Sequence, residues 1–367
     1  MFQDRFLIAD VTMSVDFPTE RWFWFDPPFH PNQSVLLHKQ PDGQWRIDFQ
    51  LGWDADPEEE RKPENIRPRI QALLGKEVDF DIAWASVYTF ACLRMDEFQI
   101  GRVLFAGDAA HGVSPFGARG ANSGVQDAEN LAWKLDLVLR GLKPAQLLGS
   151  YRQEREAAAD ENILNSTRAT DFITPKSDIS RLFRDATLAL AQDFPFARRL
   201  VNSGRLSVAS HYPDSSLNQC LQEAHFDGGL APGSPALDGP LQAVQAGETE
   251  PTWLLDLCCD GFVLLLFTDP RVSSAFSLNS PQMAEEIDAL RRQGWSIKSL
   301  EIALTTTGVP GQYLDIEGYL AKRYQAQAGT LYLLRPDQYV LTRWKQYPGG
   351  QLASVFTAMG ESDGHSI

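Results

Sequence analysis

Alternating apolar and polar positions dominate the first hundred residues. Trp45, Ile47, Phe49 and Leu51 fall on one face of an extended segment, and Arg46, Asp48 and Gln50 on the other. A second extended run, Ser34 to Lys39, precedes it, and Pro41-Asp42-Gly43 between them is a hairpin signal. Asp56 to Arg61 reads as a solvated turn leading to a short helix near Asn65–Leu74. The pattern then changes. Val103 to Ala106 reads as a buried strand ending in Gly107-Asp108, followed by a loop punctuated by Gly112, Gly117 and Gly120. A long helix opens next, with Val125, Ala128, Leu131, Ala132, Leu135, Val138 and Leu139 as its core stripe. Gly141 and Pro144 end it. Further helices are expected from Pro144 to about Asn165 and near Ser177–Ser203.

From His211 to about Pro240 the chain is loop-like, with Gly228-Gly229, Pro232-Gly233 and Gly239-Pro240 marking a boundary. Beyond it come a buried strand at Gly261–Phe267, a helix at Pro281–Gln293 and a strand at Ser299–Leu304. A strand pair around Arg335-Pro336-Asp337 closes the series. Strands alternating with helices predict a small α/β domain. Three segments follow: a β-sheet region at 1–99, a strand–loop–helix and helical region at 100–215, and an α/β domain at 216–367.

Composition narrows the function classes. A chain of 367 residues is long enough for two domains with real cores. A net charge of −15 argues against nucleic-acid binding. The N-terminus lacks the basic and apolar regions of a signal peptide, and no uncharged apolar run reaches membrane-spanning length. Four cysteines suit a reducing cytoplasm, and Cys258-Cys259, being adjacent, read as small buried hydrophobes rather than a redox pair. No His/Cys/Asp/Glu cluster has metal-ligand spacing, so no metal is expected. No nucleophile–base motif appears, and His111 reads as a packing residue.

The chemistry concentrates at residues 101–122. A strand–loop–helix unit presents a carboxylate, Asp108, at the strand end and backbone N–H groups at the helix start. The carboxylate suits sugar-type hydroxyls; the N–H groups and helix dipole suit an anion or an electron-rich carbonyl. A Gly-Asp pair alone fits an ordinary corner in which Asp108 caps a helix. The whole run from Gly101 to Leu135, with Gln126-Asp127-Ala128 and Asn130 to Leu135, does more: it resembles the second flavin-binding ("GD") motif of the FAD-dependent aromatic hydroxylases.

That resemblance implies FAD as cofactor, NADPH or NADH as reductant, and O2 as the source of a hydroxyl group placed on a small aromatic, phenolic substrate. It implies Asp108 on the ribityl hydroxyls, and Pro115 against both flavin ring and substrate. It also implies Gly117, Gly120, Ala121 and Asn122 along the flavin edge, and Arg119 where a cation favours the reduced, anionic flavin. Pro115 and Arg119 are thus the positions nearest the reaction. The sheet at 1–99 resembles the family's substrate-binding sheet, with Trp24, His38, Gln50, Trp84 and Tyr88 as candidate pocket residues. Each of these, taken singly, also fits ordinary sheet packing. Residues 216–367 resemble the family's thioredoxin-like C-terminal domain without its redox cysteines, a domain that in relatives supports packing and often dimerisation.

The fold expected is therefore mixed α/β (α+β): the later portion of a flavin-hydroxylase FAD and substrate fold, followed by a thioredoxin-like domain. No G-x-G-x-x-G occurs in the sequence, and Phe2 to Val11 resembles the strand that follows the N-terminal flavin region in relatives. The expectation is an N-terminally truncated form that binds FAD poorly, because pyrophosphate contacts are lost. Two alternatives stay open. Trp22-Phe23-Trp24-Phe25-Asp26-Pro27 nearly fits the W-x-W-x-I-P motif of flavin-dependent halogenases, and a non-catalytic remnant that self-associates would carry the same residues.

Overall fold

A computed structural model describes residues 2–15, 17–52, 54–115, 118–175, 177–201, 208–222, 225–244, 250–272, 277–306 and 308–359. The chain forms two compact units. The first comprises Met1–Asp96, Ala106–Gly124 and Ala159–Val208; the second comprises Glu97–Phe105, Val125–Ala158 and Ala209–Ile367.

The first unit is built on strands β1 (Phe2–Met13), β2 (Trp22–Phe25), β3 (Ser34–Lys39), β4 (Gln44–Leu51) and β5 (Phe80–Arg94). They pair antiparallel in the order β2-β3-β4-β1-β5. The β3–β4 turn works as the sequence suggests, because Asp42 (φ 59°) and Gly43 (φ 72°) both take the left-handed conformation that such a reversal needs. Period-two alternation puts Leu7, Ala9, Val11, Val35, Leu37, Trp45, Ile47 and Phe49 into one buried face. After the single-turn α1 (Pro57–Glu60), α2 (Pro63–Leu74) lays Ile66 and Ile70 into that face. Each fully buried side chain of this kind stabilises the fold by roughly 1.5–3 kcal/mol.

The expected strand at Val103–Ala106 is shorter and less buried than its composition suggests. Among the described residues, β7 (Val103–Leu104) pairs only with β6 (Gln99–Ile100), and Val103 is 55% exposed. Apolar composition alone reads as burial only where a neighbouring strand covers the residues. Next come β8 (His111–Gly112) on the edge of β5, then α3 (Arg119–Leu139), α4 (Gly149–Ile173), α5 (Asp178–Asp193) and α6 (Pro195–Val201). The single helix expected from 177 to 203 is thus two, divided at Phe194-Pro195, because proline disfavours a helical residue before it.

Among the described residues the second unit holds a seven-stranded sheet. Its elements are β9 (Pro240–Ala243), β10 (Thr252–Trp253), α7 (Leu254–Leu257), β11 (Phe262–Thr268), α8 (Pro281–Arg292), β12 (Ile297–Ala303), β13 (Tyr313–Asp315), α9 (Tyr319–Arg323), β14 (Leu331–Leu334), β15 (Val340–Trp344) and α10 (Leu352–Ala358). The order is β10-β9-β13-β12-β11-β14-β15, parallel at β11–β12–β13 and antiparallel through the β14–β15 hairpin. The sheet is mixed, parallel in its centre and antiparallel at its flanks, with helices between strands. Both faces are covered: Phe262, Leu264 and Leu266 pack under α8 and α10, while Val263, Leu265 and Phe267 face the opposite layer. Cys258 is buried, which pushes its thiol up to about 12, and Cys259 is exposed. The expectation of a small buried hydrophobe thus holds for Cys258 and fails for Cys259.

The helix α3 departs from its expected core stripe. Its buried positions in the second unit include Asp127, Asn130, Trp133, Lys134 and Leu137, whereas Val125 and Leu139 are exposed, the latter at 82%. The cause is a set of partners on α4 and in the β14–β15 turn. Glu154 Oε1 accepts from Arg335 Nη1 at 2.6 Å, and Oε2 accepts from Lys134 Nζ at 2.8 Å and Asn130 Nδ2 at 2.7 Å. Asp337 takes the other edge of Arg335, at 2.9 and 2.6 Å. Alongside, Arg155 donates to Asp127 and to the Tyr212 hydroxyl. Burial works against the Glu154 charge, but Arg335 and Lys134 outweigh it and hold the carboxyl well below the usual range.

Removing one partner strands the others without compensation. Glu154→Ala is expected to lower the unfolding free energy by about 3–5 kcal/mol in urea titration. A loss below about 1 kcal/mol would show that the cluster contributes little.

Candidate flavin and substrate site

The site is set by a turn and the helix behind it. Gly107 (φ 58°) reverses the chain so that Asp108 lies in a short 3-10 turn with its carboxylate exposed. Among the described residues that carboxylate has no hydrogen-bond or ion-pair partner. β8 then runs beside β5, with Leu93 opposite Gly112. Only glycine fits there, since a Cβ on Gly112 would lie 2.7 Å from the Ala91 carbonyl oxygen. Ala118 (φ 52°) turns the chain into α3 at Arg119. The first-turn N–H groups of a helix lack intrahelical acceptors.

A cavity of about 560 Å³ opens in front of this turn. Asp108, Pro115, Arg119, Gly120, Ala121 and Asn122 all border it, so the described members of the motif converge on one space. Gly117, also expected at the flavin edge, lies outside the described residues. Two details differ from the simplest reading. Arg119 is only 6% exposed, and its Nη1 donates to Asn162 Oδ1 at 2.8 Å. Burial lowers its pKa, opposed by Glu161. The Asn122 side chain turns back on its own helix, Nδ2 donating to the Ala118 carbonyl at 2.6 Å. His111 is buried, as a packing histidine would be.

The segment of α4 within the same unit braces the turn. Asn162 receives Arg119, and Ser166 Oγ accepts from the Ser114 N–H at 3.1 Å. Thr170 Oγ1 donates to Ser114 Oγ at 2.8 Å, and Asp160 holds Arg94 at 2.6 and 2.9 Å. Asn162, Ser166 and Thr170 were not anticipated as site residues. Their signal in the sequence is a polar stripe at positions four apart on a helix, which has no local partner to account for it.

The free face of the sheet carries a second cavity, of about 330 Å³. Phe6, Ile8, Phe23, Leu36 and Phe90 make it largely apolar, and Arg21, Ser34 and Asp48 are its polar members. Pro115, Tyr88 and Phe90 border both cavities. Phe90 stacks on Phe6 and on Tyr88, with ring centroids 5.7 and 6.2 Å apart. Of the expected pocket residues, Tyr88 lines this space, and Trp24, His38 and Gln50 do not. Strand parity explains Trp24: Phe23 faces the cavity, so Trp24 packs into the core on the other side, stacked on Trp22. Gln50 Oε1 is used within the sheet, accepting from Ser34 N and Oγ at 3.0 Å. His38 lies farther along the face, its pKa lowered by burial and by Arg21 and Arg46. Trp84 is exposed.

Asp48 was read only as a polar-face position. Among the described residues its Oδ1 is buried without a hydrogen-bond partner. Burial pushes the carboxyl up to about 6, against the pull of Arg46 and Arg21. Arg46 is itself held by Asp10, at 2.8 Å for both contacts. The folded state therefore binds the Asp48 proton more tightly than the unfolded chain does. Its contribution is most favourable below about pH 4 and is lost as pH rises through 6. Asp48→Asn is expected to raise stability at pH 7.5 by on the order of 2 kcal/mol and to match wild type near pH 4. Equal stabilities at both pH values would contradict this.

The cavity chemistry fits the ring and ribityl parts of a flavin: an unpartnered carboxylate for hydroxyls, helix-start N–H groups for the pyrimidine edge, and Pro115 with aromatic rings for the faces. Comparison with known proteins agrees. Residues 4–166 match the FAD binding domain family. The chain is 31% identical over 329 residues to 6-methylpretetramide 4-monooxygenase of Streptomyces rimosus, covering 81% of this chain and 55% of that protein. It is 36% identical over 185 residues to the 3-(3-hydroxy-phenyl)propionate/3-hydroxycinnamic acid hydroxylase of Paraburkholderia xenovorans (strain LB400), covering 50% of this chain and 29% of that protein. It thus spans about half or less of these relatives' lengths.

Among solved structures, the flavin-dependent monooxygenase PieE in complex with FAD and substrate has the same fold, with a TM-score of 0.72 and 20% identity. That likeness covers 97% of this chain and 65% of that one. The aklavinone-11 hydroxylase complex with FAD and aklavinone gives 0.68 and 19%, over 97% and 62%. By its FAD binding domain match and these named relatives, the chain is similar to the FAD-dependent aromatic hydroxylases. Among the described residues, no helix is long and apolar enough to cross a membrane.

Proposed function

We propose that this chain forms the isoalloxazine- and substrate-binding part of an FAD-dependent monooxygenase that hydroxylates a phenolic substrate with NAD(P)H and O2. The observation that carries the proposal is the pair of adjoining cavities sharing Pro115, Tyr88 and Phe90. One is walled by a carboxylate and a helix start, the other by an aromatic sheet face. Relatives named for 6-methylpretetramide and for 3-(3-hydroxy-phenyl)propionate support an aromatic substrate. The bound flavin would supply the oxygen chemistry.

The protein's own contribution is placement. Asp108 accepts hydrogen bonds from ribityl hydroxyls. The N–H groups of Gly120, Ala121 and Asn122, with the positive end of α3, stabilise negative charge at the ring edge. Pro115 would lie between ring and substrate, and Arg119, held by Asn162, would add positive potential at the cavity it borders. Residues 1–99 serve as the substrate sheet, 100–215 as the flavin region and 216–367 as the thioredoxin-like domain, which is also the natural surface for a homodimer. A chain of this length with four cysteines suits a reducing, cytoplasmic setting. The halogenase alternative loses its support, since Trp22 and Trp24 serve the core and the named relatives are hydroxylases and monooxygenases.

Riboflavin carries the ring and ribityl chain without the ADP half. Fluorescence titration of the chain with riboflavin and FAD is expected to give similar, weak affinities, and Asp108→Ala to weaken both by roughly tenfold. Affinity unchanged by Asp108→Ala would overturn the assignment of the 560 Å³ cavity.

A further inference from the structure

We infer that Asp48 selects the substrate: the sheet cavity takes a fused or substituted aromatic whose ring hydroxyl donates a hydrogen bond to the Asp48 carboxyl group, and it rejects aromatic carboxylates. The inference rests on the proposed function for the identity of the occupant, and on the cavity's own chemistry for the selectivity.

Strand register places Asp48 in an apolar row. Leu36 is opposite it on β3 and Ile8 on β1, with Phe23 beyond Leu36. All four line the cavity. A carboxyl in such a row has few ways to be satisfied. Its neighbours on the same face are already committed: Arg46 forms a two-point pair with Asp10, and Ser34 donates to Gln50. That leaves Asp48 Oδ1 without a donor among the described residues. A buried acceptor of this kind is costly until a ligand supplies a donor, and that cost becomes selectivity once one does. At about 330 Å³ the space suits an aromatic of more than one ring.

The charges around it set the sign. Arg46 and Asp10 neutralise one another, His38 lies along the same face and is disfavoured as a cation, and Arg21 stands at the exposed rim. The carboxyl, pushed up to about 6 by burial, is ionised at pH 7.5 and repels a ligand carboxylate placed beside it. A hydroxyl donor is accepted in either protonation state. A carboxylate is tolerated only after Asp48 takes up a proton.

The test compares three probes of one shape, 2-naphthol, 2-methylnaphthalene and 2-naphthoate, binding the whole chain at pH 7.5 by calorimetry or tryptophan quenching. 2-Naphthol is expected to bind at least about tenfold more tightly than 2-methylnaphthalene, with 2-naphthoate weakest. Asp48→Leu should erase the naphthol preference while keeping or improving methylnaphthalene binding, which also shows that the variant folds. Asp48→Asn should retain part of the preference. Naphthoate binding should strengthen as pH falls through 6 in wild type and not in Asp48→Leu. An unchanged naphthol preference in Asp48→Leu, a wild-type preference for naphthoate, or no saturable binding of any probe each overturns the inference. Riboflavin titration separates the two readings. Naphthol selectivity that persists without riboflavin binding keeps the Asp48 assignment and removes the flavin one, and the converse removes only Asp48.

Discussion

A helix start is useful to a ligand only if it is held still, and here stillness comes from α4. Asn162 fixes Arg119, while Ser166 and Thr170 fix Ser114, on either side of the Pro115 turn. These are buried polar contacts, so each leaves an unsatisfied group if the turn shifts. The N–H groups of Gly120 to Asn122 and the carboxylate of Asp108 consequently keep a constant relation to one another. Everything proposed for the flavin ring depends on that relation.

The sheet supplies the second constraint. Because successive side chains point to opposite faces, the strands that bury Leu7, Ile47 and Phe49 must turn Phe6, Asp48 and Tyr88 the other way. One surface stabilises the unit and the other is free to recognise a ligand. Placing a carboxyl on that free face reduces stability, a local violation of core chemistry of the kind that functional sites tolerate. In the second unit the buried charges do a different job. Glu154, Arg335, Asp337 and Lys134 satisfy one another completely, so they fix a geometry and leave nothing open to a ligand.

Local pattern made much of this legible. The β3–β4 hairpin, the helices α2 and α8, and the β14–β15 pair all followed from period and turn chemistry, and the Gly101–Asn122 run pointed to the segment that borders the 560 Å³ cavity. What stayed hidden depended on partners far away in sequence. Asp127, Asn130 and Lys134 fall outside the predicted apolar stripe, because their partners, Arg155, Glu154 and Asp337, cannot be inferred from spacing on α3. Val103 read as buried because nothing local reports which strands lie beside it. Trp24 was expected in the pocket, but Phe23 lines it, because a one-residue change of parity sends a side chain to the opposite face. Asp48 gave a signal that was passed over: an acid alternating with aromatics in a strand whose other face is core.

The central claim, that the turn before α3 holds a flavin ring against Pro115, is tested most directly by a crystal structure of the chain soaked with riboflavin. The account predicts density for the tricyclic ring in the cavity bordered by Tyr88 and Pro115, its pyrimidine edge toward Gly120–Asn122 and its ribityl chain at Asp108. Density at another surface, or a ring in that cavity turned with its pyrimidine edge away from the helix start, would contradict it.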